Sequence, residues 1–438
     1  MESALDVTGL FRRLGLWKES ESAIAPSKPL PALPMVTYDE GLPSLPDDII
    51  HEIFILLDME SLKSCSLTGK AVSRSAKPFI HRTLYITPRH RGSVRPSSTG
   101  GLFNVPRDWN YAFNGLPVLG ERGLLQHTRH LSIFLDRNPI FPHDLQVHIQ
   151  HLRTFTNVRS FKTSWLDISS FLPRMEEYFG TFFGSLQSLE LKESRGDHKQ
   201  ILYFICQFAN LKNLRIQGVQ PHVHSMRNGG PHFDITKFPP LDGVLDLEMF
   251  PGAMDMGATL ILNHLSTAPL KFRTLKLSAC TLDNSRLLVD ACSPNLECVV
   301  LEWHYMGQEK CTPFNFQTHT KLRKLELKLA RHSNREFAAT WLRGTLSTIT
   351  SNEFTELIIS IAHSLSGLSE NSSEDQFRRW NSVDDVLDRL SLCEDVTLVV
   401  RLIEPVDNQF AGSVEKCFPL MWENGRVVLK GPHPYLED

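Results

Sequence analysis

The sequence predicts a two-part chain of α + α/β class: a small N-terminal three-helix unit, then an irregular α/β solenoid bent into a horseshoe or arc. Three observations lead there. Within nine residues of the stretch Leu42–Leu67 stand Ile49, Ile50, Ile53, Phe54, Ile55, Leu56 and Leu57, more apolar surface than a unit of about 40 residues can bury alone. From residue 127 onward the pattern apolar-x-x-apolar-x-apolar recurs. Between its copies lie segments with helical spacing.

Composition narrows the function classes. With 41% hydrophobic and 22% charged residues, the chain matches ordinary globular proteins. Forty-six Lys and Arg against 49 Asp and Glu give no argument for nucleic acid or membrane as a partner. No apolar run reaches the ~18 residues of a membrane span, and no basic-then-apolar signal opens the chain. Eight scattered cysteines without a C-x-x-C pair suit free thiols in a reducing compartment, cytoplasmic or nuclear.

Residues 1–41, rich in Ser, Pro and Ala over 19–34, read as a flexible leader. The helical unit spans 42–86. Pro46 suits a first helical turn, and Asp47 and Asp48 follow where the helix dipole favours negative charge. At 100° per residue Ile49, Ile53 and Leu56 share one face, and Ile50, Phe54 and Leu57 the next. Asp58 or Ser61 can cap a second helix carrying Leu62, Cys65 and Leu67. A third is expected over roughly 70–86, bent or restarted at Pro78. From Ser61 to Arg107 no acidic residue occurs while nine Lys and Arg do, which reads as a solvated basic face or a docking surface for an acidic protein. Residues 87–126 form a linker and an apolar cap.

The region 127–438 carries the repeats. Ten copies centre on residues 131, 161, 189, 214, 247, 275, 299, 325, 357 and 396. Alternation around each centre predicts a short strand, with helices expected over 143–155, 169–183, 198–210, 257–267, 283–292, 335–349 and 376–391. Strand plus helix every 24–33 residues is the signature of a leucine-rich-repeat-like solenoid, with parallel pairing and helices outside. Regular repeats place Asn or Cys three residues past the strand; here only Cys280 fits, so the turns must be built differently. An ordinary α/β domain with periodic leucines is the alternative.

No G-x-S-x-G, phosphate-cradling loop or H-E-x-x-H occurs, so no catalytic residue is assigned. His222, His224 and His232 read as exposed loop histidines rather than metal ligands, and Cys292, Cys298 and His304 as repeat packing. No metal or cofactor is expected. Asp384, Asp385 and Asp388 read as a solvated helix face. In a horseshoe the outward strand positions line the concave sheet, the usual recognition surface. The substrate-binding candidates are Arg215, Glu248, Phe250, Lys276, Val300, Glu302 and Lys324, and a mixed-charge surface of this kind suits a protein substrate. The connection Gly218–Gly243 is the best loop candidate for specificity.

Leu45-Pro46, Ile49, Ile53-Phe54, Leu56-Leu57-Asp58, Ser61-Leu62, Cys65-Ser66-Leu67, Lys70 and His81-Arg82-Thr83-Leu84 together resemble an F-box. With the repeats, including His130-Leu131-Ser132-Ile133, the chain is similar to F-box proteins with divergent leucine-rich repeats, common in mushroom-forming fungi. The resemblance implies a small N-terminal three-helix F-box ahead of the solenoid. It also implies a non-catalytic substrate receptor of an SCF-type cullin–RING ubiquitin ligase. Leu45, Pro46, Ile49, Ile53, Leu56, Leu57, Leu62 and Leu67 would then meet the Skp-type adaptor while the repeats hold a protein substrate. The alternative is an interaction scaffold in which the F-box-like helices only pack on the solenoid.

Overall fold

A computed structural model describes residues 47–68, 70–87, 110–112, 116–134, 150–172, 176, 179–182, 184–218, 220–221, 238–239, 241–248, 263–267, 270–278, 282–292, 294–303, 312–329, 335–361, 374–391, 396–402 and 408–430. Three helices come first: α1 (Asp47–Leu56), α2 (Met59–Ser66) and α3 (Lys70–Ile80). Asp58 caps α2 by accepting from the Ser61 amide at 2.7 Å. Helix α3 runs on through Pro78 rather than restarting there.

The remaining elements are organised on one sheet. Its strands are β1 (Thr83–Thr87), β2 (Asn110–Ala112), β3 (His130–Phe134), β4 (Ser160–Ser164), β5 (Ser188–Lys192), β7 (Asn213–Gln217), β9 (Val244–Glu248), β10 (Thr274–Ser278), β11 (Cys298–Trp303), β12 (Lys324–Leu329), β13 (Glu356–Ile361), β14 (Thr397–Leu402) and β15 (Val427–Lys430). All thirteen pair in parallel and follow chain order, except that β2 lies outside β1. Two short strands, β6 (Arg195–Gly196) and β8 (Gln220–Pro221), pair separately. Helices α4 (Leu116–Glu121), α5 (Ile168–Phe171), α6 (His198–Cys206), α7 (Leu282–Ala291), α8 (Arg335–Leu346), α9 (Glu374–Ser391), α10 (Asn408–Cys417) and α11 (Pro419–Glu423) complete the order.

The expected fold class is corrected here. Residues 81–86 were expected to extend the third helix of a separate α unit ahead of the solenoid. Instead the chain leaves helix at Ile80 and enters the sheet at Thr83. Leu84 and Ile86, two residues apart, suit a strand as well as a helix end, and the sheet wins because both bury in its main core. Strand β1 lies between β2 and β3. The described residues therefore form one α/β arrangement on an all-parallel sheet, not a free-standing three-helix F-box joined to a second domain.

Register assigns every strand residue to a face. Leu131, Phe161, Leu189, Leu214, Leu245, Leu275, Val299, Leu325, Leu357 and Leu398 align across the sheet, as do the residues two further on in each strand. Both rows are buried against the helices. Beside β4 an aromatic wedge fills this core: Phe161 meets Phe179 and Phe182 at 5.5 and 5.9 Å, and Phe179 meets Phe204 edge-on at 5.9 Å. Such pairs add to the area they bury.

The turns explain the missing Asn. Trp165, Glu193 and Gly218 follow β4, β5 and β7 with φ of 63°, 48° and 56°. Each amide donates to the last carbonyl of the next strand, Lys192, Gln217 and Glu248, at 2.9, 2.7 and 2.8 Å. A left-handed residue thus satisfies the backbone that an Asn side chain would otherwise reach. At Trp165 and Glu193 this costs strain that glycine avoids.

Asp384 also departs from expectation. It is fully buried and accepts from the Leu420 and Met421 amides at 2.6 and 3.1 Å. These are first-turn donors of α11 with no partner in their own helix, and neither Phe418 nor Pro419 supplies a side-chain cap. Asp385 stays exposed. Asp384→Ala orphans both amides and is expected to cost roughly 2–4 kcal/mol in urea unfolding, against about 0.5 kcal/mol or less for Asp385→Ala. Equal effects would remove the capping role.

Candidate functional site

Two surfaces collect the residues that the sequence singled out. The first is the outer side of α1 and α2. Phe54, Leu62, Cys65, Val72, Ala76 and Ile80 form a small core among the helices, with Ile50, Ile53, Leu57 and Phe79 packed on it. Phe54 and Phe79 meet edge-on at 5.7 Å. Outside stand Ile49, Ile55, Leu56 and Leu67, exposed at 43, 48, 78 and 87%. They are four of the seven large hydrophobic side chains that stand exposed among the described residues.

The adaptor candidates therefore divide. Ile49, Leu56 and Leu67 are presented to solvent; Ile53 and Leu57 are half-buried on the helical core. Leu62 is 4% exposed and belongs to that core, so its side chain is not available as an outer contact. Leu45 and Pro46 lie outside the described residues. Ile55 was missed as a contact: on the helical wheel it points away from both faces that the spacing defined.

The second surface is the sheet face opposite the helices. On it Lys162, Glu190, Arg215, Asp246, Lys276, Val300, Glu326, Ile358, Val399 and Val428 align in one row across β4 to β15. Lys162 pairs with Glu190 at 2.8 Å and Arg215 with Asp246 at 3.2 Å. A flanking row holds Gln217, whose amide donates to Glu248 at 2.6 Å, and Glu302, which pairs with Lys328 at 3.0 Å. Lys324 starts its own strand and pairs with Glu356 at 3.1 Å.

Six of the seven substrate candidates thus share one face but occupy three rows: Arg215, Lys276 and Val300 in the middle, Glu248 and Glu302 on one side, Lys324 on the other. Phe250, His222, His224, His232, His304 and most of the Gly218–Gly243 connection lie outside the described residues. Sequence reading missed Asp246, which sits between Leu245 and Leu247 and is placed outward by the same alternation. It also missed Ile358 and Val399, which are 1% and 3% exposed although they lie outside the main core cluster. The runs LIISI and TLVVRL carry that signal, since unbroken apolar runs mark strands covered on both sides. The face is therefore charged and internally paired over β4 to β10, and apolar toward β15.

Other candidates resolve into packing. The Cys292 thiol is buried and donates to the Leu288 carbonyl at 2.8 Å, and burial pushes its pKa up. Burial raises Cys298 too and carries Cys417 to about 12. Among the described residues no cluster of three or more His, Cys, Asp or Glu could hold a metal. No helix among them is long and apolar enough to cross a membrane. No family model matches the chain, and no curated protein matches it at a significant level.

Asp246 offers a test of the face's electrostatics. Burial raises its pKa, opposed by Arg215 and Lys276. The native state then holds its proton to higher pH than the unfolded chain. Its contribution to stability is full below the unfolded pKa and falls as pH rises through the folded one. Asp246→Asn is therefore expected to gain stability relative to the wild type in urea melts taken from about pH 3 to about pH 7. A relative loss over that interval would reverse the sign.

Proposed function

We propose that this chain is the substrate-recognition subunit of an SCF-type cullin–RING ubiquitin ligase, without catalytic activity of its own. The residues that resemble an F-box dock on the Skp-type adaptor, and the sheet face takes a protein substrate. One observation carries the reading: among the described residues, more than half of the exposed large apolar side chains stand within Ile49–Leu67, the stretch on which the resemblance rests. A water-exposed Leu at 78% or 87% exposure is expensive to leave open, and its burial contributes roughly 1.5–3 kcal/mol. A few such anchors suffice for a hot spot. The part-charged, part-apolar sheet face suits a protein substrate, and the reading needs no cofactor, nucleic acid or membrane. Cys65, Cys292, Cys298 and Cys417 carry free thiols, which supports the cytoplasm or nucleus as the compartment.

A second reading is an interaction scaffold in which these helices only pack against the sheet. The inward packing of Leu62 and the direct run from α3 into β1 favour it. Co-expression with a Skp-type adaptor separates the two. A stable complex is expected on size exclusion. Leu56→Glu/Leu67→Glu should weaken it by two orders of magnitude or more, since roughly 3–6 kcal/mol is at stake. Its thermal unfolding should remain within about 0.5 kcal/mol of the wild type. No complex with the wild type, or an undiminished one with the double variant, would leave the scaffold.

A further inference from the structure

The starts of the strands carry a separate feature that meets the first surface only at Ile55. The residue just before each strand forms its own row along one edge of the sheet. In that row the Arg82 carbonyl accepts from the amides of Arg129 and His130 at 2.8 and 2.9 Å. The Arg129 carbonyl does the same for Arg159 and Ser160 at 2.8 and 3.0 Å. Three arginines therefore stand on the adjacent strands β1, β3 and β4, about 4.8 Å apart per step. Further along the row the charges are matched: Lys212 with Asp242 at 3.8 Å, Arg273 with Glu297 at 3.9 Å, Arg323 with Glu353 at 2.7 Å. Arg82, Arg129 and Arg159 have no ion pair among the described residues.

These three arginines line a cavity of about 350 Å³ beside the helices at the sheet edge, together with His127, Phe79 and Ile55. Among the described residues no carboxylate lines it. A second cavity of about 440 Å³ shares Asn157 and Arg159 with the first and continues along the edge to the Lys212–Asp242 pair, so the uncompensated charge lies at the Arg82–Arg159 end. The two make a groove, not a closed pocket. His130, just past Arg129, has its pKa lowered by burial and then by Arg82 and Arg129, as expected beside uncompensated positive charge.

We infer that this edge groove binds an extended acidic segment of a partner protein, its carboxylates meeting Arg82, Arg129 and Arg159 and an apolar side chain resting against Phe79 and Ile55. The charge complementarity calls for an anion. The length of the groove, its apolar wall and the row of guanidinium groups favour a peptide over a single small anion, since Arg pairs carboxylates bidentately. The inference does not rest on the adaptor reading; it shares Ile55 with the first surface but uses none of Ile49, Leu56 or Leu67.

The probe is a fluorescein-labelled dodecapeptide of Asp and Glu with a Leu at every third position, titrated with the full chain by fluorescence anisotropy. Saturable binding is expected at about 50 mM salt, weakening toward about 300 mM. Arg129→Glu/Arg159→Glu should reduce affinity at least tenfold, and Arg129→Gln/Arg159→Gln, which removes charge without reversing it, by a smaller factor. Arg273→Gln, on the same row but paired, should change it less than twofold. Three results would each overturn the inference: no saturable binding, an equal loss with Arg273→Gln, or full displacement of the peptide by about 5 mM inorganic phosphate, which would mark a small-anion site.

Discussion

The structure depends on one repeated interaction, the carbonyl before a strand that receives two amides from the next, at eight strand starts. Arg82, Arg129, Arg159, Gln187, Gly243, Arg273, Glu297 and Arg323 all accept in this way. Each shared carbonyl fixes the starting register of one strand on its neighbour. Because side chains alternate with period two, a slip of one residue would turn Leu189 and Leu191 to the open face and put Glu190 in the core. With register fixed, three kinds of surface follow: two apolar rows inside, a partly charged face outside and a basic stretch of edge.

The same constraint explains how repeats without regular turn residues hold together. Over β4 to β9 left-handed residues close the strand ends. Farther on, hydroxyl groups bracket neighbouring turns: the Phe314 and Phe316 amides donate to Thr345 and Thr348 at 3.2 and 2.9 Å, and Ser351 donates to the Thr320 carbonyl at 2.8 Å. His319, fully buried, donates through Nε2 to the Val289 carbonyl at 3.0 Å. Each device does locally what a repeated Asn does in a regular array, which is to leave few buried backbone groups unpaired. Since each is different, none produces a motif that repeats.

That difference sets what was legible. Strand positions were, because leucines at period two report burial on one side directly; nine of the ten expected centres fall inside strands, and 396 just precedes β14. The end of the third helix was not, because Leu84 and Ile86 satisfy either a strand or a helix end and only long-range pairing with His130–Ile133 decides. Asp384 was not, because a charged triplet on a helix reads as solvated unless the partner amides are known, and they lie 36 and 37 residues away. Strand β15, four residues long at one end of the sheet, offers too few positions for alternation to show. At the candidate site, the exposure of Leu56 and the burial of Leu62 could not be separated by hydrophobicity, since both are leucines on amphipathic helices. Only the packing of Phe54 and Cys65 around Leu62 does that.

Net charge misleads in the same way. A formal charge of −3 over 438 residues suggests an electrostatically neutral molecule. Yet acid and base are sorted by strand position: on the open face Lys162, Arg215 and Lys328 each have a carboxylate across the ladder, so that face has little long-range pull. On the edge the first three rungs lack such partners, and their field reaches about 10 Å at moderate salt. A partner meeting both would be oriented by the edge before it is read by the face. The two kinds of surface fall to different rows of one sheet because parallel register keeps each row's residues together over consecutive strands.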